Sequence, residues 1–218
     1  MSKVRRLFVE KKEGYDVAAQ GALADFRENL FLDGLQGVRI VLRYDIEGIA
    51  EEDYESAIEN VFSEPAVDRV YREELPIGPG EIAFGVEYLP GQYDQRADSA
   101  AQCVQLLLRK QRPEIATATI YLLSGELTAE DTQKIKKYVI NPVDSREASL
   151  EKPETLALQL TIPTKVETVE GFISMDDAQT AAYCQENGFA MSAADLIFTR
   201  DYFKKIGRNP TITELKVD

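Results

Sequence analysis

Apolar positions recur along this chain with two periods, and those periods lay out its elements. Val4–Glu10 (VRRLFVE) reads as a strand, and over 17–32 the residues Ala19, Leu23, Phe26 and Leu30 fall on one helical face. Gly37–Tyr44 (GVRIVLRY) sets Val38, Ile40 and Leu42 against Arg39, Val41 and Arg43, the alternation of a half-buried strand. Helical spacing returns over Glu51–Phe62, through Tyr54, Ile58, Val61 and Phe62, and Pro65 then introduces a short strand, Val67–Glu73. Two prolines and two glycines within 76–80 make a connector.

After the connector the pattern starts again. A gapless shift of about 77 positions places Val9 and Glu10 on Val86 and Glu87, Gly14 on Gly91, Ala24 on Ala101 and Leu30 on Leu107. Under the same shift Tyr44 falls on Tyr121, Gly48 on Gly125, Ile58 on Ile135, Pro65 on Pro142 and Arg69 on Arg146. Strand, helix and turn positions coincide, which points to an internal duplication. The period is too long for a solenoid, so the expected architecture is α+β: two copies of a two-layer unit, about 1–75 and 81–149, with antiparallel sheets packed on helices as a pseudo-dimer.

From about Ala148 the composition changes, and 151–218 is expected to form a small, partly extended, helical linker domain following a first domain over 1–150. Leu156–Ile162 (LALQLTI) alternates as a strand ending at Pro163. Helices are expected at Asp176–Asn187 and Ser192–Ile206, stopped by Gly188 and Gly207, and Ser192 with Asp195 makes a capping-box-like start. Asn209–Asp218 carries alternating Ile212, Leu215 and Val217 and reads as a segment separated from its partners.

Composition narrows the function. The 218 residues carry a formal net charge of −13 spread along the chain, which disfavours nucleic acid as a partner. No apolar run approaches the ~20 residues of a membrane helix, the first residues have no signal-peptide core, and the cytoplasm is the expected compartment. Cys103 and Cys184 sit in amphipathic helical stretches and are both expected to be core residues.

There is no histidine at all, so histidine triads and histidine–metal sites are excluded, and neither cysteine lies in a C-x-x-C pair. Phosphate-loop, dinucleotide and nucleophile-elbow signatures are also missing. The acidic runs Glu51–Asp53 and Asp176–Asp177 fall at expected helix starts, where capping explains them. Neither a catalytic residue nor a cofactor or metal ligand is expected in this chain.

Three stretches carry a family resemblance. They are Tyr88–Cys103 (YLPGQYDQRADSAAQC), Asn141–Ala148 (NPVDSREA), and Asp201–Phe203 followed by Asn209–Glu214 (DYF and NPTITE). The chain resembles the N-terminal part of the large, single-chain phosphoribosylformylglycinamidine synthases, over its whole length and most clearly from 81 to 153.

The resemblance implies a non-catalytic piece of a purine-biosynthesis ligase and glutamine amidotransferase. Residues to about 150 would match a fused dimer of the small subunit of split synthases, and the rest would match the linker domain. The full enzyme would convert formylglycinamide ribonucleotide, glutamine and ATP to the amidine, glutamate, ADP and phosphate, with ATP and magnesium. Its synthetase portion, with a Ser-x-His-Cys-x-His signature, and its glutaminase portion, with a Cys-His-Glu triad, would be this chain's partners.

Within the resembling stretches the candidate interdomain contacts are Gln92, Tyr93, Asp94, Arg96, Asp98, Asn141 and Arg146. Arg96 and Arg146 are candidate charge anchors, since a guanidinium fork makes paired bonds to carboxylates. Set against docking are a helix cap at Asp94 and intramolecular salt bridges for the arginines. Tyr44 and Tyr121 mark either a quasi-symmetric pocket or ordinary strand packing. Exposed apolar surface at Ile197, Phe198, Tyr202 and Phe203 is expected to promote self-association. The competing function is a regulatory small-molecule sensor built from a duplicated α+β unit.

Overall fold

Both periods reappear in the computed structural model, which describes residues 4–157, 166–189 and 191–217. The chain divides into two compact units, Met1–Leu158 and Gln159–Asp218.

In the first unit the elements run β1 (Arg5–Lys11), α1 (Val17–Asn29), β2 (Leu35–Glu47), α2 (Glu51–Ala57) and β3 (Asp68–Arg72), then β4 (Ile82–Tyr88), α3 (Gln95–Leu108), β5 (Glu114–Gly125), α4 (Ala129–Val139) and β6 (Ser145–Ala148). The helix expected over 51–62 changes character part-way, from α to a π-helical turn at Ile58–Phe62. All six strands join one antiparallel sheet in the order β3-β1-β2-β5-β4-β6. The fold is therefore α+β, with one continuous sheet in place of a separate sheet for each half.

The sheet has an internal two-fold relation. Each half contributes strand, helix, strand, helix and strand, and β1 shifted by one repeat length gives the bounds of β4. The halves meet along β2 and β5, where Leu42 faces Thr119, two residues that are themselves one repeat length apart. A pseudo-two-fold axis through that pair exchanges the halves. Turn glycines obey it too: Gly14 and Gly91 have φ of 86° and 92°, left-handed values that glycine adopts without steric cost.

Helices cover one sheet face in two pairs, each drawing one member from each half. Phe26 of α1 and Ile135 of α4 share a core with Val38, Phe84 and Leu123. Tyr54, Ile58 and Phe62 share the other with Ala100 and Val104 of α3, over Leu7, Tyr44 and Ile46. Complete burial of each Val, Leu, Ile or Phe side chain among them stabilises by about 1.5–3 kcal/mol.

The second face differs from the sequence reading. GVRIVLRY was expected to be half-buried, yet Val41 and Arg43 on its non-helical side are buried as fully as Leu42's neighbours on the other. The cover comes from residues 73–81 and 148–157. Arg6 donates through Nη1 to Leu150 O at 2.7 Å and through Nη2 to Glu151 O at 3.1 Å, while Arg43 Nη1 donates to Ser149 O at 2.6 Å. The Leu156 N–H donates to Glu47 Oε2 at 2.7 Å. These bonds attach residues 149–156 to the first unit, so the unit boundary falls later than the composition change near 150. At Gly85 a side chain would lie 2.9 Å from Ala148 Cβ, and glycine lets β6 close on the sheet.

In the second unit, α5 (Asp177–Asn187) starts at the Asp176 cap, α6 (Ala193–Ile206) starts at the Ser192–Asp195 box, and both end at left-handed glycines, Gly188 and Gly207. Their core is Phe172, Cys184, Leu196, Phe203 and Leu215. The tail expected to alternate instead forms α7 (Ile212–Val217) with Leu215 buried. Thr211 and Glu214 explain it, because each caps the other's backbone N–H, at 2.8 and 3.3 Å. The strand expected over 156–162 lies outside the described residues beyond Ala157. Phe203, expected at the surface, is core, whereas Phe198 and Tyr202 are exposed.

Candidate functional site

A groove of about 710 Å³ opens on the helical side of the sheet beside α3. The strand floor is Tyr44, Val86, Thr117 and Thr119, and one wall is α3 through Arg96, Ser99, Ala100 and Cys103. Val61, Val139, Asn141 and Asp144 close the other sides. Its size is that of ordinary small-molecule pockets.

Asp94 fixes the start of the α3 wall. Its carboxylate accepts the Ala97 N–H at 2.9 Å as an N-cap, and the Thr117 Oγ1 hydroxyl and N–H at 2.7 and 3.2 Å. This carboxylate thereby locks α3 to β5, and its role is structural. Asn141 does the same for the opposite rim: its N–H donates to Ser145 Oγ at 3.0 Å, its amide to Asp144 Oδ2 at 3.2 Å, and its side-chain oxygen accepts from Val143 at 3.2 Å.

The remaining candidate contacts do not form one surface. Tyr93 is exposed and donates to Asp98 Oδ2 at 2.9 Å, and Asp98 also pairs with Arg112. Those two partners, Arg112 first, hold the Asp98 carboxyl below the usual carboxylate range. Gln92 lies on the exposed turn, its N–H donating to Leu89 O at 3.0 Å. Arg146 sits on the opposite sheet face, donating to Glu87 Oε1 at 2.9 Å, so the intramolecular salt bridge weighed for it is the one formed. Arg96 is the one charged residue among the seven that lines the groove, and among the described residues it has no hydrogen-bond or ion-pair partner.

The sequence reading missed the groove's most informative residue. Cys103, expected in the core, is exposed and lines the groove, whereas Cys184 is buried. The signal was available, because Cys103 falls one repeat length from Phe26, and that exchange removes a ring. The two matched tyrosines also part ways: Tyr44 lines the groove with its ring edge-on to Phe62 at 5.0 Å, while Tyr121 stacks on Phe84 at 5.2 Å. Strand packing accounts for Tyr121.

Among the described residues no cluster of three or more metal-ligating side chains occurs, and no helix is long and apolar enough to cross a membrane. Comparison with protein-family models and with curated proteins finds no match to this chain.

Proposed function

We propose that this chain is the non-catalytic N-terminal part of a phosphoribosylformylglycinamidine synthase, in the cytoplasm, holding the synthetase and glutaminase portions in register for ammonia transfer. The observation that carries the reading is the Tyr88–Cys103 stretch, which resembles that family through a strand end, an exposed turn and the first turns of α3. A sheet with pseudo-two-fold order agrees with a fused small-subunit dimer. ATP and magnesium belong to the whole enzyme, whose chemistry lies in its other domains.

Docking runs through the exposed turn at Gln92 and Tyr93, where the Tyr93 hydroxyl is held by Asp98 and its ring faces solvent. Titrating the separately produced synthetase–glutaminase remainder into this chain by calorimetry tests the proposal. Binding that weakens about tenfold in Tyr93→Ala supports it, since exposed aromatic anchors dominate interfaces. Equal binding by wild type and Tyr93→Ala sinks the docking surface, and no binding sinks the partner assignment.

A second reading, a regulatory small-molecule-binding module, is favoured by the groove beside α3. Ligand-dependent thermal shifts of the isolated chain distinguish it.

A further inference from the structure

The pseudo-two-fold axis gives the groove a counterpart, and the counterpart is filled. At the seam of α1 and α4, Phe26 is 2% exposed and meets the Tyr138 ring edge-on at 6.0 Å. Leu23 and Ile40 pack into the same core. One repeat length away Phe26 becomes Cys103, Leu23 becomes Ala100 and Ile40 becomes Thr117, while Tyr138 corresponds to Val61. All four of these smaller residues line the groove.

Protein interiors normally close such gaps, and large-to-small exchanges within a core leave space only where the surrounding backbone is held. Here it is held, by the β2–β5 register below and by the Asp94 clamp between α3 and Thr117. The same exchanges also change polarity. Ala19, buried on α1, corresponds to Arg96, and Ala22 corresponds to Ser99. The second half therefore presents a space the size of two rings, lined with hydroxyls, where the first half presents an apolar seam.

The charges around it select the sign of an occupant. Of the acids at the rim, Glu87 is paired with Arg43 and Arg146, and Asp144 accepts from the Asn141 amide. Arg96 is the one charged group there without a partner among the described residues. A guanidinium fork with free donors fits a planar or tetrahedral oxyanion.

We propose that this groove binds a small, ring-bearing oxyanion, whose ring takes the space that Phe26 and Tyr138 fill in the other half and whose anionic group pairs with Arg96. The Ser99 and Thr119 hydroxyls orient it. This inference rests on the groove and the two-fold relation alone, so it stands or falls separately from the synthase reading.

The test is an amide-resolved NMR titration of the whole chain with phenyl phosphate, 4-hydroxybenzoate, benzyl alcohol and inorganic phosphate. Shifts confined to Ser99, Cys103 and Thr119 and their neighbours are expected, with a ring-bearing anion bound about tenfold or more tighter than the neutral ring or the ringless ion, the scale of one charge-assisted contact. Which of the two ring anions binds tighter distinguishes a phosphate from a carboxylate ligand. Arg96→Met, at an exposed position that leaves the fold intact, is expected to abolish the advantage of the anions. Cys103→Phe, which restores the packing of the other half, is expected to abolish binding of every ring. Absence of shifts at the groove, equal affinity for benzyl alcohol, or an Arg96→Met chain that binds the anions unchanged would overturn the proposal.

Discussion

Arg6 and Asp45, on neighbouring strands, form a two-pronged ion pair at 2.6 and 2.8 Å on the sheet face opposite the helices. Both side chains are almost completely buried, at 4% and 2% exposure, and Arg6 also donates through Nη1 and Nη2 to the carbonyls of Leu150 and Glu151. Arg43 joins from β2, its Nε 3.3 Å from Asp45 Oδ2, and burial lowers its pKa while Asp45 opposes that effect. The cluster is what holds residues 149–151 across the sheet.

Removing one partner strands a buried charge, which costs far more than the pair contributes. Asp45→Ala is expected to destabilise the first unit by about 3–5 kcal/mol, read from denaturant midpoints at unchanged slope. A loss below about 1 kcal/mol, the range of surface pairs, would contradict the burial.

The two-fold relation predicts unequal answers at equivalent positions. Phe26→Ala empties a filled seam and is expected to cost about 3–5 kcal/mol. Cys103→Ala, at the matched position facing the groove, is expected to change stability by less than about 0.5 kcal/mol, as exposed substitutions do. Chemical denaturation of both variants checks the contrast, and similar losses would mean that the groove is packed.

Glu214 gives a pH prediction. Hydrogen bonds from Arg208, then from the Thr211 N–H and hydroxyl, lower its pKa to about 2 from an ordinary 4.5. A depressed carboxyl stabilises the fold above its unfolded pKa and loses that contribution as pH falls through the folded one. The capping of α7 is thus expected to be complete above about pH 4.5 and lost toward pH 2. Carboxyl-carbon NMR of Glu214 measures this directly, and a midpoint at the ordinary value would contradict it.

Phe198 and Tyr202 lie four positions apart on α6, 77% and 56% exposed, and make one apolar patch. Sedimentation is expected to show concentration-dependent self-association that Phe198→Ser with Tyr202→Ser reduces. Association unchanged by the double variant would remove the patch from the account.

The fold was legible where local signals and period agreed. The ends of α5 and α6 followed from Gly188 and Gly207, β1 from its strand-like run VRRLFVE and β4 from the repeat. The helix at Ile212–Val217 escaped because its cue is the Thr211–Glu214 pair, not a period. Burial of Arg6, Arg43 and Asp45 could not be read from the strand pattern, since it depends on residues 149–151, distant in sequence, lying over them. At the groove, Asp94 was legible as a cap, but its hold on Thr117 is a long-range contact. The exposure of Cys103 follows from comparing it with Phe26, a comparison of volume and not of identity.

The most direct measurement is complementation: this chain is mixed with the separately produced synthetase–glutaminase remainder, and glutamine- and ATP-dependent amidine formation is compared with that of the remainder alone. The proposed scaffold role predicts activity only, or at least tenfold more, when both are present, the scale of a misplaced catalytic site regaining its geometry. Equal activity with and without this chain, both parts being folded, would contradict it.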